Sequence, residues 1–272
     1  MDLLQPRLRR ACALCLLAAA ALLTGGCSST PKDDGSARSA EKLYREAKDD
    51  IEAGSYDRAI KSLERVEGLG AGSLLAQQAQ LDLAYLYWRT NERAQGLSTI
   101  ERFIKLNPSS PALDYAMYLR GLMNFNDSLG LLGNLAQQNL SERDQRASRD
   151  SFTAFKQLVE QFPDSRYTPD ARLRMQYIVN SLAENEVHVA RYYFRRQAWL
   201  AAANRAQQVV QEFQQSPSAE EALAIMVQSY ERLELKPLRD DAERVLRASY
   251  PNSVYLGGNL EAKSSRPWWR VW

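Results

Sequence analysis

Residues 186–213 (EVHVARYYFRRQAWLAAANRAQQVVQEF) constrain the fold more than any other stretch. Val189, Ala190 and Tyr193 recur at helical spacing, and Ala202, Ala206, Val209, Val210 and Phe213 form a second apolar stripe beyond a short polar break. Ala190, Ala202 and Ala206 are small where two antiparallel helices would approach closely. Such a hairpin leaves apolar surface that it cannot bury alone, so it requires neighbours of its own kind.

The rest of the chain supplies them. Ala47, Gly54, Tyr56, Ala59 and Leu63 read as one copy, and Ala84, Tyr87, Gly96, Ile100, Phe103 and Pro108 as a second. Gly121, Ser151, Phe155, Leu158 and Pro163 form a third with an insertion, residues 186–213 a fourth, and Tyr230, Leu246 and Pro251 a fifth. The pattern resembles the tetratricopeptide repeat, a helix–turn–helix unit, and implies an all-α solenoid of about five repeats. Asn107-Pro108, Phe162-Pro163 and Tyr250-Pro251 each stop a helix. Ser109-Ser110-Pro111 and Thr168-Pro169-Asp170 are expected to cap the next one. Pro169 to Arg196 contains no breaker and can form one long helix.

The organisation expected is a signal peptide over 1–26, a lipidated Cys27 with a flexible tether over 27–39, repeats 1–3 over 40–166, repeats 4–5 over 167–251, and a flexible Trp-rich tail over 252–272. Arg7, Arg9 and Arg10 precede an apolar run from Ala11 to Leu23 that is too short to span a membrane comfortably. Small residues then lead to Cys27, as in the lipobox of bacterial lipoproteins. Cys12 and Cys15 fall in the removed segment, so the mature chain keeps no free thiol once Cys27 is lipidated. Removing three Arg and one Asp from 35 basic and 33 acidic residues leaves 32 of each. A neutral chain carries no electrostatic footprint for nucleic acid. The insertion, 126–146, is longer than an ordinary turn. The tail carries Trp268, Trp269 and Trp272, which fit either a loose end or a docking motif.

No catalytic set stands out. His188 is the single histidine, no Cys is available to join it on a metal, and no nucleophile motif is present. Gly68–Gly72 falls where a turn between repeats is due. The aromatic residues are more informative. In such arrays the first helix of each repeat lines the concave face, which places Tyr44, Tyr85, Trp88, Tyr115, Tyr118 and Phe125 on a groove with Arg120 nearby. That surface suits an extended peptide carrying aromatic side chains; the same residues also fit inter-helix core. Arg191 and Arg195 share one helix face and fit either a solvated surface or an acidic partner.

Several local motifs are more specific than the periodicity: Leu81-Asp82-Leu83-Ala84-Tyr85, Phe103-Ile104-Lys105-Leu106-Asn107-Pro108, Asp114 through Leu122, Ala190 through Tyr193, and Asn204-Arg205. With the lipoprotein signal they resemble the BamD (ComL/YfiO) family of the bacterial β-barrel assembly machinery. That resemblance implies a non-enzymatic lipoprotein on the periplasmic face of the outer membrane, attached through lipid alone and without another cofactor. It implies N-terminal repeats that receive unfolded outer-membrane protein precursors. It implies C-terminal repeats that bind the last POTRA domain of a BamA-type subunit and BamC- and BamE-type lipoproteins, with Arg205 at the BamA contact. Residues 68–75 (GLGAGSLL) stand where the family often has an aromatic-Pro segment, so no precursor-binding residue is carried over there. The competing class is a periplasmic repeat scaffold working in peptidoglycan or division assembly.

Overall fold

A computed structural model describes residues 33–125, 142–258 and 260. The expected signal peptide, Cys27, the start of the tether, insertion residues 126–141 and the three tail tryptophans lie outside the described residues. Among the described residues ten α-helices follow one another: α1 (Asp33–Glu52), α2 (Tyr56–Leu69), α3 (Leu74–Arg89), α4 (Arg93–Leu106), α5 (Leu113–Asn124), α6 (Glu142–Gln161), α7 (Thr168–Arg195), α8 (Trp199–Glu212), α9 (Ser218–Arg232) and α10 (Lys236–Ser249), before a 3-10 turn, Val254–Gly257. They pair as five helical hairpins, in keeping with the repeat reading.

Two backbone devices recur and explain the regularity. Within a pair, the first helix ends on a left-handed residue: Gly54, Asn91, Gln197 and Glu234 have φ of 73°, 66°, 64° and 58°. The next N–H then donates back five residues, Ser55 to Asp50, Glu92 to Tyr87, Ala198 to Tyr193 and Leu235 to Tyr230, at 2.7–3.0 Å. This is the Schellman closure, which satisfies carbonyls the helix end would otherwise orphan. Between pairs, the backbone steps by threes. The N–H of Gly70, Asn107, Phe162, Phe213 and Tyr250 closes the helix, and the N–H of Ser73, Ser110, Ser165, Ser216 and Ser253 donates to those same five carbonyls. Each serine hydroxyl also accepts a backbone N–H just downstream, at 3.1–3.4 Å.

These turns replace the side-chain caps expected from sequence. α5 starts at Leu113, after Ser110 has already been used in the turn, and no side chain caps it. Thr168 begins α7 with its hydroxyl donating to the Phe162 carbonyl at 2.7 Å rather than capping. α7 is one helix of 28 residues.

Small residues let the paired helices cross closely. Ala47, Ala59, Ala84, Ala190 and Ala202 are fully buried, as is Ser151. A methyl on Gly96 would meet the Ala84 carbonyl at 3.2 Å. One on Gly121 would collide with the Phe155 ring, and Ser151 donates to the Gly121 carbonyl at 2.9 Å.

The chain separates into two compact units, residues 1–80 and 81–272, so the division falls inside α3 rather than at the expected 166/167. No boundary forms at 166 because Phe155 and Leu158 of α6 share one core with Ala171, Ile178 and Leu182 of α7. In the first unit Ala40, Leu43, Ala59, Ile60, Leu63 and Val66 are buried.

Three boundaries differ from the sequence reading. Residues 33–39, expected in the tether, are helical, and Ala37, Arg38 and Ser39 are exposed there. Extending an existing helix is easy once its packed part is nucleated, so this polar turn carries no apolar signature. Residues 142–146 belong to α6 rather than to the insertion. Residues 252–258, expected in the flexible tail, form part of the folded body. Tyr255 is buried against Leu223, Ala224 and Leu246, and its hydroxyl donates to Glu221 at 3.4 Å. The segment repeats the inter-pair turn and covers the end of the last repeat as terminal caps do.

A non-glycine residue in the left-handed region costs about 1–2 kcal/mol. Gln197→Gly and Glu234→Gly should therefore each stabilise the protein by roughly 0.5–1 kcal/mol after glycine's larger unfolded-state entropy is counted. Gly54→Ala should destabilise it by a similar amount, although open space surrounds Gly54. Urea unfolding reads all three, and unchanged midpoints would remove the strain argument. Tyr255→Ala should cost about 2 kcal/mol or more if the turn caps the core.

Candidate functional site

In the second unit the first helices of successive pairs present a run of aromatic rings. Tyr85 and Trp88 on α3 lie 6.0 Å apart and cover a core of Leu81, Ala84, Ile100 and Phe103, with Tyr115 of α5 on the same cluster. Tyr115 and Tyr118 both meet Tyr167, at 5.5 and 4.8 Å, the latter pair stacked at 19°. Tyr118 reaches Phe155 at 6.0 Å, and Phe125 continues the run to Phe155 and Tyr177. All of these except Phe155 are half-buried. The rings pack between helices, as the core reading expects, and their half-buried state leaves part of each ring accessible to solvent.

Charged groups edge the run. Arg166 lies 4.7 Å from the Tyr167 ring centre and Arg174 lies 4.8 Å from that of Phe125. Tyr118 Oη and Arg174 Nε both donate to Asp170 Oδ2 at 2.6 Å. Burial pushes the Tyr115 phenol up to about 12, helped by Tyr167. Burial and then the Asp170 hydrogen bond push Tyr118 to about 12 as well. Both rings stay neutral donors throughout the physiological range.

Arg120 does not belong to this surface. It follows Tyr118 by two residues, about 200° around the helix. Its guanidinium donates to Gln157 and lines an outward cleft of about 310 Å³ with Leu97, Glu101, Asn124, Asp150 and Thr153. The arginines beside the aromatic run are Arg166 and Arg174. Tyr44 sits half-buried on α1 of the first unit.

Beyond the aromatic run, α7 and α9 carry charges. Arg191 donates to Glu221 through Nε and to Glu184 at 3.1 Å, while Ser218 also donates to Glu184. Arg191 thus braces α7 to α9 through Nε and Nη2. Arg195, one turn on, is exposed and makes no ion pair among the described residues. Arg205 is also exposed, yet it pairs at 3.1 Å with Glu186, whose side chain is only 7% exposed. Glu186 is the single buried charged residue among those described. Removing Arg205 alone would strand that carboxylate, at a cost of several kcal/mol in the worst case. The sequence held a signal for Glu186, since it falls inside the stripe Ala183, Val187, Ala190. Tyr167 had one too: it ends a Pro-x-Ser-x-Tyr turn that recurs at Tyr255.

Among the described residues no group of three His, Cys, Asp or Glu could hold a metal ion, and no helix is long and apolar enough to cross a membrane.

Comparison with known proteins places this architecture. The YfiO family, described as outer membrane lipoprotein, matches residues 36–255. An outer membrane protein assembly factor BamD of Neisseria meningitidis serogroup B is 44% identical, across 86% of this chain and 87% of its own. The BamD of Vibrio cholerae serotype O1 is 35% identical over 77% and 87%. That of Haemophilus influenzae is 34% identical over 89% and 92%. The match ends at Tyr255, the residue that closes the last repeat, and the chain belongs to the YfiO outer-membrane lipoprotein family.

Proposed function

We propose that this chain is a non-enzymatic assembly factor for outer-membrane proteins. It is held at the periplasmic face of the outer membrane by lipid on Cys27, with no other cofactor. It takes unfolded barrel precursors on the aromatic run of repeats 2 and 3. It engages a BamA-type subunit, through that subunit's last POTRA domain, around Arg205, with BamC- and BamE-type lipoproteins on the same C-terminal repeats. The relatives named as BamD support the general role. The observation that carries the division of labour is the change along the first helices, from accessible aromatic rings on α3 and α5 to paired charges on α7 and α9.

Rings held at fixed positions suit extended, unfolded segments, because they offer apolar area at low entropic cost and do not require one sequence. An exposed guanidinium steadied by a buried carboxylate suits a folded partner, which can present an acid at a defined point.

Trp88→Ala should weaken binding of an aromatic-rich barrel peptide about tenfold, the scale of an aromatic anchor. Tyr118→Phe, which removes only the hydroxyl on Asp170, should change it less. Circular dichroism should show unchanged helix content in both. Equal affinity for Trp88→Ala and wild type would exclude this surface.

Arg205→Gln combined with Glu186→Gln strands no buried charge. It should lower co-purification of the BamA-type subunit about tenfold or more, the scale of a lost charged contact, while melting stays near wild type. Undiminished co-purification would take Arg205 out of the interface. Recovery of muramidases or division proteins without a BamA-type subunit would overturn the assembly reading itself.

A further inference from the structure

The turn ends of the fourth and fifth helix pairs form one surface. Arg232, at the end of α9, lies 5.7 Å from the ring centre of Trp199, at the start of α8, which joins the two tips. Phe194 packs edge-on against Trp199 at 4.8 Å, and Arg196 lies 5.6 Å from the Tyr192 ring. Around this framework Tyr192, Leu200, Leu235 and Leu238 are 39–57% exposed. Residues 234–238, Glu-Leu-Lys-Pro-Leu, are all exposed.

The charges are one-sided. Arg195, Arg196, Arg232 and Lys236 make no ion pair among the described residues. The facing acids Glu231 and Asp240 are both held by Arg239. Two acids share that one arginine, so with Glu234 two negative charges remain against the four cations and the patch keeps a net charge of about +2. The residues stand on helix ends and on the turns that join them.

We infer that these tips bind a surface of anionic phospholipid headgroups. The chemistry is that of an interfacial belt: arginines and lysine for phosphates, Tyr and Trp at headgroup depth, and isolated leucines that reach the acyl boundary. Exposed cations interspersed with single exposed leucines fit a laterally uniform anionic surface, which needs no one-to-one partner for each group. The contact is separate from the lipid on Cys27 and from the aromatic run. It adds a second, weaker attachment at the opposite end of the chain, and attachment through two signals is far more stable than through one.

The test is flotation of the chain from residue 27 with Cys27→Ser, so that no acyl chain contributes. Wild type should float with vesicles of phosphatidylethanolamine and phosphatidylglycerol and not with phosphatidylcholine alone, and high salt should release most of it. Arg195→Glu, Arg196→Glu and Lys236→Glu together should reduce partitioning at least about tenfold. Leu200→Ser with Leu238→Ser should lower the salt-resistant remainder. A charge-matched control, Lys42→Glu, Lys156→Glu and Arg244→Glu, should float as wild type does. All variants change exposed side chains, so melting should not move. The inference is overturned if wild type does not float, if the tip variant floats unchanged, or if the control falls as far. It is also overturned if the tip variant loses only an acidic protein partner.

Discussion

The close crossing of paired helices is the constraint on which the rest depends. Ala47 with Ala59, Ala84 with Gly96, Gly121 with Ser151, and Ala190 with Ala202 bring backbones together where larger side chains would collide. A methyl on Gly121 would collide with the Phe155 ring. Close crossing leaves each pair thin, with apolar faces that only the neighbouring pair can bury. The last pair shows the converse. Its matching positions hold Val227 and Arg239, the crossing opens into a cleft of about 150 Å³, and Tyr255 folds back beside it to cover the core.

The turns obey the same logic. A left-handed residue and a five-residue return bond fix the angle within pairs, and a serine-centred step of threes fixes it between pairs. Gly54 and Asn91 suit the left-handed site, whereas Gln197 and Glu234 occupy it at a cost. A strained position survives when the geometry it secures matters more than the local penalty. Both strained turns lie at the tips of the fourth and fifth pairs.

Much of this was legible in the sequence, because helix pairing is a local property. The small residues, the helix-ending prolines and the long stretch after Pro169 gave five pairs in the observed places. What was not legible depends on direction and on distant partners. Tyr118 and Arg120 both lie on a first helix, but two residues apart they face opposite ways, so helix membership alone put Arg120 on the wrong surface. Arg191 and Arg195 share a face and differ in fate because Glu221, thirty residues on, reaches only the former. Ser110 and Thr168 have the right chemistry for helix caps, yet the turn uses them one step earlier. The order of residues 253–258 was hidden because a single buried tyrosine leaves no periodic trace.

The contrast between Arg191 and Arg205 bears most directly on function. Both pair with acids, but Arg191 spends its fork on two carboxylates and ties α7 to α9, so its loss would loosen the solenoid wherever partners bind. Arg205 meets one buried carboxylate through one nitrogen and keeps its other donors toward solvent. Glu186 cannot leave the interior cheaply, so it fixes the guanidinium without saturating it. A charge held this way loses little side-chain entropy when an acid from outside arrives. The aromatic run is held in place by a different route, since its rings already pack on one another, Tyr118 and Tyr167 stacked and the others tilted or edge-on. The packing of α5, α6 and α7 into one core ties the aromatic run to the Arg191 brace.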